Sequence, residues 1–240
     1  GIYHLRERQD KHYIEELFGY EDIDLLERAY QCIDFRCTLE GDWMAYDSLE
    51  YFVENSDMTQ EINFNYLKAE IFYEEFIDYC ILEVFIGNLD WLNNNIKFWR
   101  PQSGENKWRW LLWDTDHGLG FDYYNLEGMD TLTYWGDPAT DYLEWSTGLE
   151  GYQVDNGANN RIIRAILRNN EGRIDFINRF ADLLNTNLSY PMVLPVIDSL
   201  ANILDTDMQY HVERWNRDLF DWYNEGGTFT AYGYALIAFF

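Results

Sequence analysis

"NLDWLNNNIKFWRPQSGENKWRWLLWDTDHG", residues 88–118, joins unlike parts in one continuous run. One carboxylate and four carboxamides fall among its first eight positions. Asp and Asn side chains hydrogen-bond to nearby backbone and oppose both helix and strand, so the run opens as a loop. An apolar helical pattern precedes it, and aromatic-rich strands follow at 96–100 and 108–113. The link between those strands, PQSGENK, carries the Pro, Ser, Gly and Asn of a hairpin connection. The hairpin leads into Asp114 and Asp116. On a strand, side chains at i and i+2 point the same way, with Cα atoms roughly 7 Å apart. Two carboxylates placed so can converge on one cation through oxygen, and they repel each other without it.

Outward from this run the chain reads as helix-dominated. Residues 68–86 predict one helix with Tyr73, Phe76, Ile77, Cys80, Ile81 and Val84 on a wide stripe, ended by Gly87. Upstream, GIYHLRE (1–7) alternates like a strand, KHYIEELFG (11–19) reads as a short helix stopped by Gly19, and 47–57 as another helix. Residues 117–160 are rich in Gly, Asp, Tyr and Asn with little periodicity, and a loop of that length is more often functional than accidental. In the last third, Ile174, Ile177, Ala181 and Leu184 form one stripe, and Val193, Ile197, Leu200 and Leu204 a second. Pro191 lies in the first turn of that second helix, with Ser189 as its cap. No internal repeat or low-complexity linker divides the chain. The fold class is α+β: one helix-dominated domain in which a β-hairpin carries two polar loops.

Composition narrows the function. Among 240 residues, 43 acids against 17 bases leave a net charge of −26, which argues against nucleic acid as a partner. The charge suits a cationic partner, a divalent metal, or high solubility. Hydrophobic residues at 47% permit a sizeable core, and no run of eighteen apolar residues predicts a membrane span. Cys32, Cys37 and Cys80 are odd in number and lack metal-type spacing. They imply no disulfide framework, and Cys80 reads as plain core. His4, His12, His117 and His211 show no ligand spacing either.

The order of helix, polar loop with Asp90 and Asn95 five apart, hairpin, and acidic turn ending in Gly matches what protein-kinase phosphoryl transfer requires. There a loop Asp orients and deprotonates the acceptor hydroxyl, an Asn five residues on holds metal, and an acid after the hairpin bridges metal to phosphate. Asp116-His117-Gly118 has the D-x-G form of the kinase metal turn, although Asn88-Leu89-Asp90 stands where H-R-D is usual.

GNLDWLNNNIKFWR followed by KWRWLLWDTDHGLG resembles the spore-coat protein H (CotH) kinase family, whose signature joins N-x-D-W-x-x-N-N to a W-D-x-D-x-x-x-G turn. GIYHLRERQD, the helical stretch from Asn169 and HVERW are similar to further segments of that family, so the resemblance covers roughly 1–217, with 218–240 an atypical tail. It implies a protein-kinase-like C-lobe that uses ATP and Mg²⁺ or Mn²⁺ to phosphorylate Ser of coat or surface proteins. The substrate expected is a Ser-rich, basic protein, and the location a spore coat or cell surface. Carried over by position, Asp90 resembles the catalytic aspartate, Asn95 the metal-binding asparagine, Asp114 and Asp116 the metal-binding acids, and Glu7 a residue near the adenine. Asn93 and Asn94 read as braces for loop backbone. Only four Lys are present, each after the hinge-like opening strand, so an N-terminal lobe is expected to be missing and nucleotide affinity to be weak.

Three rivals are weaker. A calcium loop from Asp114 needs Gly and Glu where Leu119 and Asn125 stand. A glycosidase would use these acids and aromatics without nucleotide, but Trp108, Trp110 and Trp113 alternate like packing residues. A non-catalytic kinase-like scaffold is the nearer alternative, although Asp90, Asn95 and the acid pair are all present.

Overall fold

The computed structural model describes residues 7–86, 88, 91, 94–115 and 161–215. Helix α1 (Lys11–Phe18) is capped by Asp10, whose carboxylate accepts from the backbone N–H groups of His12 and Tyr13, and it stops at Gly19 in the left-handed region. Strands β1 (Ile23–Arg28) and β2 (Cys37–Glu40) follow, then α2 (Met44–Asn55), α3 (Glu61–Glu70) and α4 (Tyr73–Ile86). The hairpin is β3 (Ile96–Pro101) and β4 (Arg109–Leu111). After residue 160 come α5 (Arg161–Arg168), α6 (Asn170–Asn185) and α7 (Tyr190–Trp215). The α+β, helix-rich class holds.

The strands form one antiparallel sheet in the order β2-β1-β3-β4. β1 and β2 were not legible in the sequence. All six residues of β1, IDLLER, are buried, so no alternation of polar and apolar positions marks it. One face of the sheet sets Ile23, Leu25, Trp99 and Leu111 against Ile14 of α1. The other sets Leu26, Phe98 and Trp108 against the main core, built with α2, α3, α4, α5 and Phe176 of α6. The sheet is therefore a middle layer.

Four expectations need correction. The single helix at 68–86 is two, because Ile71 leaves helical geometry and bridges Trp108: Phe72 N–H donates to Trp108 O (3.0 Å), and Trp108 N–H to Glu70 O (2.9 Å). The second hairpin strand is shorter than 108–113, ending at Leu111. Ile174 and Ile177 of α6 are exposed, since that helix buries Gly172 and Phe176 instead. Cys32 and Cys37 are joined in a disulfide with Cα atoms 5.3 Å apart, closing the connection between β1 and β2, while Cys80 is free and buried. Residues 1–6, 117–160 and 218–240 lie outside the described residues.

Helix α6 is held to the core at its start. Asn169 caps it by accepting from the backbone N–H groups of Glu171 and Gly172, and donates its amide to Met58 O at 2.8 Å. A Cβ on Gly172 would fall 2.5 Å from Ile166 O and 2.8 Å from a Phe64 ring carbon. Gly172→Ala should therefore lower stability by about 1–3 kcal/mol, the usual cost of overpacking, despite the better helix propensity of Ala. A denaturation midpoint equal to the parent's would show that the α5–α6 contact yields freely.

Candidate active site

The loop after α4 is fastened at several points. Asn88, 1% exposed, donates its side-chain amide to Glu83 Oε2 at 2.8 Å, and its backbone N–H to Glu83 O at 3.2 Å. Trp91, 2% exposed, donates its indole N–H to the Tyr79 hydroxyl at 2.9 Å. Asn94 Oδ1 accepts from the backbone N–H of Tyr30 at 2.9 Å, tying this segment to the turn beside Cys32. Asp90 and Asn93 lie outside the described residues.

Asn95 is buried and enters β3 with φ 56°, and Asp114 follows β4 with φ 52°. Asn and Asp enter this left-handed region more readily than other residues with a Cβ, so both positions suit their side chains. The hairpin pairs Lys97 with Leu111, so Asn95 lies two residues before that pair on one side and Asp114 three residues after it on the other. The two segments thus leave from the same end of the hairpin. The same-face strand argument for Asp114 and Asp116 fails, because the strand ends at Leu111 and Asp114 is left-handed. Asp116 lies outside the described residues.

Beside Asp114 is a cavity of about 380 Å³ lined by Glu7, Gln9, Tyr13, Leu112, Trp113, Asp114 and Thr115. Gln9 donates its amide to Leu112 O at 3.0 Å, tying the segment before α1 to the segment after β4. Two sequence-predicted site residues, Glu7 and Asp114, therefore share one concavity. Lys97 lies on the same face of the sheet, its ammonium 3.7 Å from the centre of the Trp113 ring and 3.9 Å from Glu27 Oε2. Burial lowers the Lys97 pKa, while Glu27 and Asp114 pull it back up. Lys97 was not read as a site residue; its signal was a lysine in an aromatic-rich strand, IKFWRP, whose other charge is Arg100.

The donors here are hard oxygens, the amide of Asn95 and the carboxylate of Asp114, which fit Mg²⁺ or Mn²⁺ better than a soft metal. Among the described residues no group of three or more His, Cys, Asp or Glu could hold a metal. None of the helices among them is long and apolar enough to cross a membrane.

Glu83 went unnoticed in the sequence, a single acid within CILEVFIG. It is 0% exposed, and burial raises its pKa to about 7, against the opposing hydrogen bonds from Asn88 and Tyr79. The folded state therefore binds a proton that the unfolded state has released between about pH 4.5 and 7. Stability from this group is complete below about pH 4.5 and is lost as pH rises through about 7, by about 3 kcal/mol at most. Glu83→Gln, which cannot ionise, should flatten that decline. Parallel denaturation curves for parent and variant across the window would show that Glu83 titrates normally.

The model of the family described as CotH kinase protein matches residues 1–227. No curated protein matches the chain, and no solved structure does.

Proposed function

We propose, since the chain belongs to the CotH kinase family, that it transfers the γ-phosphate of ATP to Ser or Thr of coat or surface proteins. In this reading the sheet, the hairpin and α4 are the counterpart of a kinase C-lobe, with 1–217 as the kinase-like unit. Asp90 orients the acceptor hydroxyl and takes its proton. Asn95, Asp114 and Asp116 hold a divalent ion, Mg²⁺ or Mn²⁺, which when bound neutralises charge on the phosphates. Glu7 borders the adenine, and the Lys97 ammonium beside Trp113 keeps positive charge under Asp114. The acidic surface, at a net charge of −26, suits a Ser-rich basic protein.

The observation that supports the reading best is the hairpin, from one end of which the segments bearing Asn95 and Asp114 both leave, with Glu7 on the same cavity as Asp114. The Cys32–Cys37 disulfide supports a location outside a reducing cytosol, as a spore coat or cell surface would be. The test is a thermal-shift titration with ATP and Mg²⁺ or Mn²⁺, followed by mass spectrometry of a Ser-rich basic peptide incubated with both. Ligand bound to the folded state raises the melting temperature, and only a kinase adds the phosphate mass. A shift without phosphopeptide would favour the non-catalytic scaffold, and no shift at any concentration would overturn both the site and the reaction.

A further inference from the structure

The residues flanking Asp90 hang from one face of α4. Tyr79 and Glu83 are four apart on that helix, so their side chains lie one turn from each other. Tyr79 holds Trp91, just after Asp90, through the indole N–H at 2.9 Å. Glu83 holds Asn88, two residues before it, through the side-chain amide at 2.8 Å. All four are buried, with Glu83 at 0%.

A carboxyl at this depth is poor packing material. Its Oε1 has no hydrogen-bond partner among the described residues, so the group is only half satisfied where an apolar side chain would cost nothing. Its other oxygen, Oε2, accepts the Asn88 amide of the loop at 2.8 Å. The segment 88–95 is rich in Asn, whose side chains offer several competing local hydrogen bonds, and such a loop needs outside contacts to adopt one conformation. The two buried contacts grip it on either side of the residue assigned to the chemistry.

We propose that Glu83 and Tyr79 are positioning residues, a clamp on α4 that fixes the Asp90 loop in its working conformation. The proposal rests on the reading of Asp90 as the residue that orients the acceptor hydroxyl. A loop displaced by about 1 Å can cost on the order of 10²-fold in rate. Asn95, the metal ligand at the other end of the loop, is buried where β3 begins and is held apart from the two clamped residues, so the clamp acts on transfer rather than on ATP affinity.

The experiment compares the full chain with Glu83→Ala, Glu83→Gln and Tyr79→Phe by two readouts. The first is hydrogen exchange, followed by mass spectrometry, of peptides covering 88–95. The second is the steady-state rate of peptide phosphorylation, with Mg²⁺–ATP affinity from calorimetry. Glu83→Ala and Tyr79→Phe should each speed exchange in 88–95 several-fold, with the strands unaffected. They should lower kcat by about 10–100-fold while ATP affinity stays within twofold. Glu83→Gln keeps a carbonyl oxygen for the Asn88 amide and should recover most of both. Unchanged exchange in Glu83→Ala and Tyr79→Phe overturns the clamp, as does faster exchange with kcat unmoved. If Glu83→Ala does not fold, Tyr79→Phe and Glu83→Gln decide alone. If the parent transfers no phosphate, the proposed function fails, and the exchange readout still decides whether the clamp exists.

Discussion

Asp90→Asn leaves the chain folded and lowers phosphate transfer by about 10²–10⁴-fold, the usual worth of a positioned general base. Asn has nearly the shape of Asp and keeps one acceptor oxygen, so the loop loses little packing or hydrogen bonding. What it loses is the charge that orients the Ser hydroxyl and the basicity that takes its proton. The contacts on each side, Asn88 to Glu83 and Trp91 to Tyr79, do not involve position 90, so the surrounding loop should hold. The effect should therefore fall on kcat, with ATP affinity unchanged. A variant as active as its parent, with the same melting temperature, would remove Asp90 from the chemistry and leave the scaffold reading in possession of the site.

Asp114→Asn combined with Asp116→Asn should abolish metal-dependent nucleotide binding. Outer contacts to metal sites are worth about 10–100-fold in affinity, so losing two direct carboxylate ligands should cost at least about 100-fold. Asn is the clean replacement at 114, because the left-handed backbone there, φ 52°, accepts Asn as readily as Asp. The protein without metal should be as stable as the parent or slightly more so, since two anions are removed from a strongly acidic chain. Calorimetry with Mg²⁺–ATP reads the result directly, and affinity equal to the parent's would make the pair structural. The single variants separate the roles: the spacing of the family signature favours Asp114 as the principal ligand, and the D-x-G form favours Asp116.

The sequence by itself determined the local parts. Gly19 stops α1, the Asn run opposes regular structure, and PQSGENK turns the chain, because each effect is set by residues within a few positions of one another. The hairpin was legible for the same reason, and with it the two polar segments bearing Asn95 and Asp114 at one of its ends. The stripe on α4 was legible too, and every residue named on it is buried.

Only the tertiary structure decided what depends on distant partners. β1 is buried on both faces by α1 and by the main core, and neither its apolar content nor its charges signalled a strand. Asp24 finds Arg100 across the sheet at 2.8 Å, and Arg28 finds Glu50 on α2 at 2.7 Å, so polar residues are buried there in pairs that no local pattern reveals. Ile71 leaves its helix because Trp108, far along the chain, offers backbone hydrogen bonds at that point. Glu83 reads in sequence as an ordinary helix acid, and its burial and its bond to Asn88 exist only once distant elements have packed around α4. Burial and pairing across the fold are properties of assembled elements, and a single chain segment carries no record of them.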